Sequence, residues 1–231
     1  MKKINQIFGA VNLLLVAAVF IGNYFYLGPI GGLTLKALCS SGFALMGLVN
    51  LAFAVLTKQK NLRFYMFLSA GLILACLGDI VIGSDFILGA GLFAMGHVFY
   101  LIAGFCRKPL AVPDMIIFAI LFVGAGSFVL FCPLLEFPEP IMKWVCFIYA
   151  AIISAMVGKL VGNCIREKNE VHLVLAVGAI LFFFSDLMLV FNWFMDMGRI
   201  TSLLCMATYY PAQCLLAGSA YLAARRNNTS F

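Results

Sequence analysis

Apolar runs of about twenty residues recur along this chain, separated by short polar breaks. Eight can be marked, over residues 4–27, 32–56, 64–83, 87–106, 112–132, 141–163, 171–192 and 199–223. Each is long enough to cross a hydrocarbon core of roughly 30 Å as a helix. The pattern predicts an all-α, polytopic membrane protein with eight transmembrane helices, forming one integral-membrane domain over residues 1–231. Short connections make successive helices antiparallel. Composition agrees: 65% of residues are hydrophobic and 10% charged, against roughly half and a quarter in soluble domains. Lys2 and Lys3 precede a long apolar run with no small-residue cleavage site, so the first run reads as a span and not a cleaved leader.

Charge then orients the helices. One set of loops and ends receives Lys2, Lys3, Lys58, Lys60, Arg63, Arg107, Lys108, Arg166, Lys168, Arg225 and Arg226. The other receives Lys143 and Arg199, with Asp85, Glu136, Glu139 and Asp196. Basic residues favour the cytoplasmic side, so both termini are expected there, in the inner (plasma) membrane if the source is bacterial. The net charge of +6 is dispersed over short loops and implies no nucleic-acid partner. The eight cysteines show neither CxxC nor zinc spacing and read as packing residues. No metal site and no cofactor is expected.

Against this apolar background a few polar positions stand out. Asp79 and Asp186 lie inside spans, where an ionisable side chain costs about 2.5–3.5 kcal/mol on insertion scales. Under the orientation above, Lys36, Asp79 and Asp186 all fall in the outer half of the bilayer, with His97, Tyr209, Tyr210 and Gln213 nearer its middle. His97 and Tyr100 share a helix face with Phe93, and Tyr209 and Tyr210 share one with Gln213. Pro211 is expected to kink the last helix, and Gly83, Gly89, Gly91 and Gly96 suit close helix contact. These positions predict a pocket facing the outer leaflet, which Tyr149, Ser154 and Met156 could also line. A purely structural reading pairs each aspartate with Lys36 or Lys143. Lys159 is expected to snorkel to the boundary, and the loop acids to be merely solvated. A shift that superposes Asp79 on Asp186 also aligns Gly71 with Gly178, Gly78 with Ser185 and Lys36 with Lys143, which admits two parallel four-helix repeats.

Gly78-Asp79, the spaced set Phe86, Gly89, Phe93, His97 and Tyr100, the run GAILFFFSD at 178–186 and TYYPAQCLLA at 208–217 together resemble the YhhN-like lysoplasmalogenase family. The resemblance extends over most of the chain from Lys36 onward. It implies an eight-helix membrane enzyme that hydrolyses the vinyl ether bond of lysoplasmalogens, releasing a fatty aldehyde and glycerophosphoethanolamine or glycerophosphocholine. Asp79 and Asp186 match the family's essential acidic positions. One departure is local: the family usually has Lys-Pro in the second helix, and here Ala37 follows Lys36.

Two carboxyl groups suit that reaction. Protonation of the vinyl β-carbon gives an oxocarbenium ion, as in glycoside hydrolysis, where one acid donates and one carboxylate stabilises the cation or activates water. Asp186, behind Phe182, Phe183 and Phe184, is the expected acid, since an apolar setting disfavours its charged form. Asp79, beside Gly78 and nearer the boundary, is the expected ionised partner, though the roles can be exchanged. Lys36, His97, Tyr100, Tyr149, Ser185, Tyr209, Tyr210 and Gln213 are the candidate substrate-binding residues for a lysophospholipid taken from the surrounding membrane lipid. The competing readings are a proton-coupled transporter of a small molecule or lipid, and an assembly factor whose polar residues only specify packing.

Overall fold

The computed structural model describes residues 2–28, 30–195 and 197–229, with the side chains of Lys2 and of 227–229 outside the description. Asp196, counted above among the loop acids, lies outside the described residues. The described chain is all-helical: α1 (Lys2–Leu27), α2 (Leu33–Leu56), α3 (Leu62–Val81), α4 (Phe86–Arg107), α5 (Val112–Phe131), α6 (Pro140–Arg166), α7 (Glu170–Phe194) and α8 (Arg199–Thr229). All eight are long and apolar enough to cross a membrane. Their ends carry local signals. Asp85 caps α4 by accepting from the Leu88 N–H at 2.9 Å, and Asn169 caps α7 through His172 N–H at 2.9 Å. Asp85 is therefore a helix cap as well as a loop charge. Gly31 and Gly32 turn the chain between α1 and α2 at φ of 50° and 91°, values that a side chain disfavours.

Six helices close a ring, in the order α2, α3, α4, α6, α7, α8 and back to α2. α1 lies outside against α2 and α8; α5 lies outside with its backbone close to α6 alone among the described residues, and its Phe128 ring reaches Phe191 of α7 at 5.5 Å. Lipid tails are as apolar as leucine, so little hydrophobic force drives these contacts, and close approach and polar bonds must fix them. Close approach is clearest between α3 and α4. A Cβ on Gly71 would strike the ring of Tyr100, and one on Gly89 would meet the backbone of Ile82. Gly178 makes the corresponding approach from α7 to α8, meeting the Ala212 carbonyl and Leu216. α8 continues as one helix through Pro211.

Replacing each ring helix by the one four later reproduces the ring, with α1 and α5 exchanged. The correspondence is incomplete, because α8 also touches α1 and α3 while α4 touches neither α5 nor α7 by backbone. Side chains diverge further: Lys143 donates to the Leu130 carbonyl at 2.9 Å instead of pairing with Asp186.

Lys159 does not snorkel. It is 1% exposed and donates to Asp114 at 2.8 Å and to the Pro109 carbonyl at 2.7 Å, with its ammonium 4.7 Å from the centre of the Phe105 ring. Arg166 reaches the same carboxylate at 3.0 Å, and the Ala111 N–H donates to it at 3.1 Å. The height of Lys159 near a helix end is compatible with snorkelling, but its rotation turns it toward α5. Removing one partner from such a buried cluster leaves an uncompensated charge. Asp114→Ala should therefore lower stability by about 3 kcal/mol, read as a depressed melting temperature in detergent. Asp114→Ala combined with Lys159→Met should recover most of the loss.

Candidate active site

Asp79 sits in the last turn of α3, 2% exposed, and every contact it makes favours its carboxylate form. Lys36 Nζ on α2 lies 3.2 Å from Oδ1. Ser40, one turn further along α2, donates to Oδ2 at 2.5 Å, and Tyr209 on α8 donates to the same oxygen at 2.6 Å. Behind Tyr209 the network continues. Gln213 donates to the Tyr209 hydroxyl at 3.2 Å, and Tyr100 on α4 donates to Gln213 Oε1 at 2.8 Å. Tyr210 donates to the Lys36 carbonyl at 3.4 Å. Tyr100, Tyr209, Tyr210 and Gln213 of the expected substrate-binding set are all buried; Tyr100, Gln213 and Tyr209 form the chain of hydrogen bonds that ends on Asp79.

Asp186, in the middle of α7, has different company. Its Oδ2 accepts from Tyr149 on α6 at 2.5 Å and lies 3.2 Å from His97 Nε2 on α4, and those two side chains are themselves 2.8 Å apart. Oδ1 has only Ser185 Oγ at 3.5 Å, and that hydroxyl donates chiefly to the Phe182 carbonyl at 2.7 Å. Ser185 is buried and acts within its own helix turn. Among the described residues no lysine or arginine pairs with Asp186.

The expected burial of the two acids is reversed. Asp186 is 12% exposed and Asp79 only 2%. The three phenylalanines point in different directions, as successive residues on a helix must at about 100° per residue. Phe182 packs inward on His97, with ring centres 4.6 Å apart, Phe183 borders the cavity described next, and Phe184 faces outward. Asp79 lies closer to a helix end, yet Phe43 and Phe93 pack around Tyr209 and shield it.

The carboxyl of Asp186 opens on a cavity of about 80 Å³ between α4, α5, α6 and α7. Phe86, Phe93, Phe128, Ile153 and Val190 form much of its wall, and Asp186 and Tyr149 supply its ionisable groups besides Cys146. Ser154 and Met156 are buried but take no part in this wall. The cavity lies toward the end of the bundle opposite the Lys58, Arg107 and Lys168 end. At that end the α5–α6 loop packs on the end of α7, with the Glu136 N–H donating to the Phe194 carbonyl at 2.9 Å and Phe137 lying 4.6 Å from the Phe194 ring. Among the described residues no three His, Cys, Asp or Glu side chains converge on a point that could hold a metal ion.

The two networks share α4. His97 serves Asp186 and Tyr100 serves Asp79 through α8, one helical turn apart. Sequence reasoning brought together Lys36 with Asp79 and His97 and Tyr149 with Asp186, but as a single pocket; the structure makes two adjoining networks, of which only Asp186's borders this cavity. It missed Ser40, whose i+4 spacing from Lys36 was the available signal, and Asp114, whose position in the first turn of α5 reads as an ordinary helix-start acid.

The different partners predict different phenotypes. Asp79→Asn leaves Lys36 without its counter-ion, and should cost up to about 3 kcal/mol, the low end for a broken buried pair because Lys36 is half-buried. Adding Lys36→Met should restore the melting temperature. Asp186→Asn removes no lysine's or arginine's partner and should melt within about 1 kcal/mol of the parent protein. A melting temperature that falls equally in both single variants would contradict this assignment.

The sequence profile of the YhhN family matches residues 39–220. No solved structure matches the chain.

Proposed function

The chain belongs to the YhhN family, and on that premise we propose that it is a lysoplasmalogenase, cleaving the vinyl ether of a lysophospholipid to a fatty aldehyde and a glycerophospho-alcohol. One observation carries the reading: of the two intramembrane acids, the one without a lysine faces an apolar cavity. An alkenyl chain against Phe86, Phe93 and Phe128 would bring its first two carbons to Asp186. Because α5 leaves the backbone of α4 untouched, the seam between those two helices offers a lateral way in from the bilayer.

In the proposed reaction Asp186, protonated on Oδ1, gives that proton to the β-carbon of the vinyl ether. The ether oxygen donates a lone pair, leaving an oxocarbenium ion. Water adds to the α-carbon and returns a proton to Asp186, so the carboxyl is restored. The hemiacetal then breaks its bond to the glycerol oxygen, which takes the hydroxyl proton, and the aldehyde leaves. One water is consumed. Tyr149 and His97 hold Oδ2 and so keep Oδ1 turned to substrate. His97, itself fully buried and outside the cavity wall, acts on the substrate only through Asp186. Asp79, paired with Lys36 and outside the cavity wall, supports the site through α4, where Tyr100 joins its network one turn from His97.

Asp186→Asn keeps shape and hydrogen bonds but has no acidic proton. It should reduce aldehyde release from lysoplasmalogen by at least about 10²-fold, the usual lower bound for general acid catalysis. The assay uses purified protein in detergent, where no gradient exists. A folded variant with half the parent activity removes Asp186 from the chemistry, and an inactive parent protein that moves substrate across vesicles in response to a proton gradient supports the transporter reading.

The same proposal includes orientation. With the basic loops cytoplasmic, the cavity faces the outer leaflet. Reporters fused after Lys58, Arg107 and Arg166 should all register cytoplasm; a signal from the opposite side at any one of them breaks this arrangement.

A further inference from the structure

A second, larger recess lies at the opposite end of the bundle. α6 and α8 both pack on α7 but do not meet each other, and between them the outer face of α7 floors a groove of about 1020 Å³. Along its length Leu173, Val177 and Ile180 are exposed, repeating at three- and four-residue spacing as one helix stripe must. Its rim, where α7 begins and α8 nears its end, carries Lys168, Arg225 and Arg226, with Glu170 the one acidic side chain among the described residues that line it. The neighbouring Lys108 and Glu167 engage each other at 2.5 Å and add no net charge.

The groove is separate from the site above. Ile180 and Asp186 are six residues apart, about 9 Å along α7 and rotated by roughly 240° around it. The two linings have no residue in common.

We propose that this groove is a binding site for an anionic phospholipid, with one acyl chain along Leu173, Val177 and Ile180 and the phosphate at Lys168, Arg225 and Arg226. In a bilayer an open apolar groove fills with lipid. Its apolar floor cannot choose which lipid, because one hydrocarbon tail replaces another at little gain. The choice falls to the rim, where three cations face one acid at the level of the headgroups. A zwitterionic headgroup brings its own cation to that rim, whereas an anionic one does not. Basic recesses between transmembrane helices on the cytoplasmic side are a recurrent solution for anionic headgroups, and the orientation proposed above puts this rim on that side.

The test uses the full chain in detergent, exchanged with mixed micelles of phosphatidylglycerol or phosphatidylcholine, with retained lipid counted by native mass spectrometry. The parent protein should retain phosphatidylglycerol at least tenfold over phosphatidylcholine. Lys168→Gln, Arg225→Gln and Arg226→Gln together should abolish the preference, on the order of fivefold for each cation removed. Val177→Trp leaves the rim charges and fills the floor, and should also lower phosphatidylglycerol retention; Lys58→Gln with Lys60→Gln, at the same end but outside the groove, should not. Equal retention of the two lipids by the parent overturns the proposal, as does an undiminished preference in either groove variant. Displacement of the lipid by millimolar inorganic phosphate alone would make this an anion site with no lipid specificity, and would equally overturn it. Aldehyde release should be unchanged in the Val177→Trp protein.

Discussion

A carboxylate withdrawn from water must be met by donors, and in this protein that requirement links helices that hydrocarbon alone would leave indifferent to one another. Asp79 draws on α2 and α8, Asp186 on α6 and α4, and Asp114 on α6 and its own helix start. Each acid thus ties its own helix to at least one other. The ring closes partly because its polar side chains have nowhere else to go. The kind of donor then separates the three. Asp79 and Asp114 are met by ammonium or guanidinium groups; Asp186 is met by a phenol and an imidazole.

Much of this could be seen in the chain beforehand, and the boundary between what could and could not be seen is physical. Span length, loop charge and the oddity of Asp79 and Asp186 are local properties, written in consecutive residues. Position along a helix follows from counting at 1.5 Å per residue. Rotation about the helix axis does not, because it depends on which neighbour a face meets. Lys159 was placed at the right height and on the wrong side, since nothing near it in sequence announces Asp114, 45 residues away. The three phenylalanines before Asp186 looked like a uniform apolar sheath; wound on a helix they face three directions, and one of them faces outward. Ser185 and Tyr210 were chosen for proximity to the acids, yet both spend their hydroxyls on backbone carbonyls.

The repeat-like shift of the sequence has a counterpart in the cyclic order of the helices, but the chemistry does not follow the geometry. At the position matching Lys36 the chain has Lys143, whose ammonium goes to a backbone carbonyl. The similar scaffold therefore carries one acid with a bound cation and another without.

His97 and Tyr100 stand one turn apart on a helix pressed against α3 at Gly71 and Gly89, with no room for a side chain between the rods. That one helix props both networks: His97 holds Asp186 directly, and Tyr100 reaches Asp79 through Gln213 and Tyr209. A side chain added at Gly71 would strike the Tyr100 ring, and so disturb the support of an acid it does not touch.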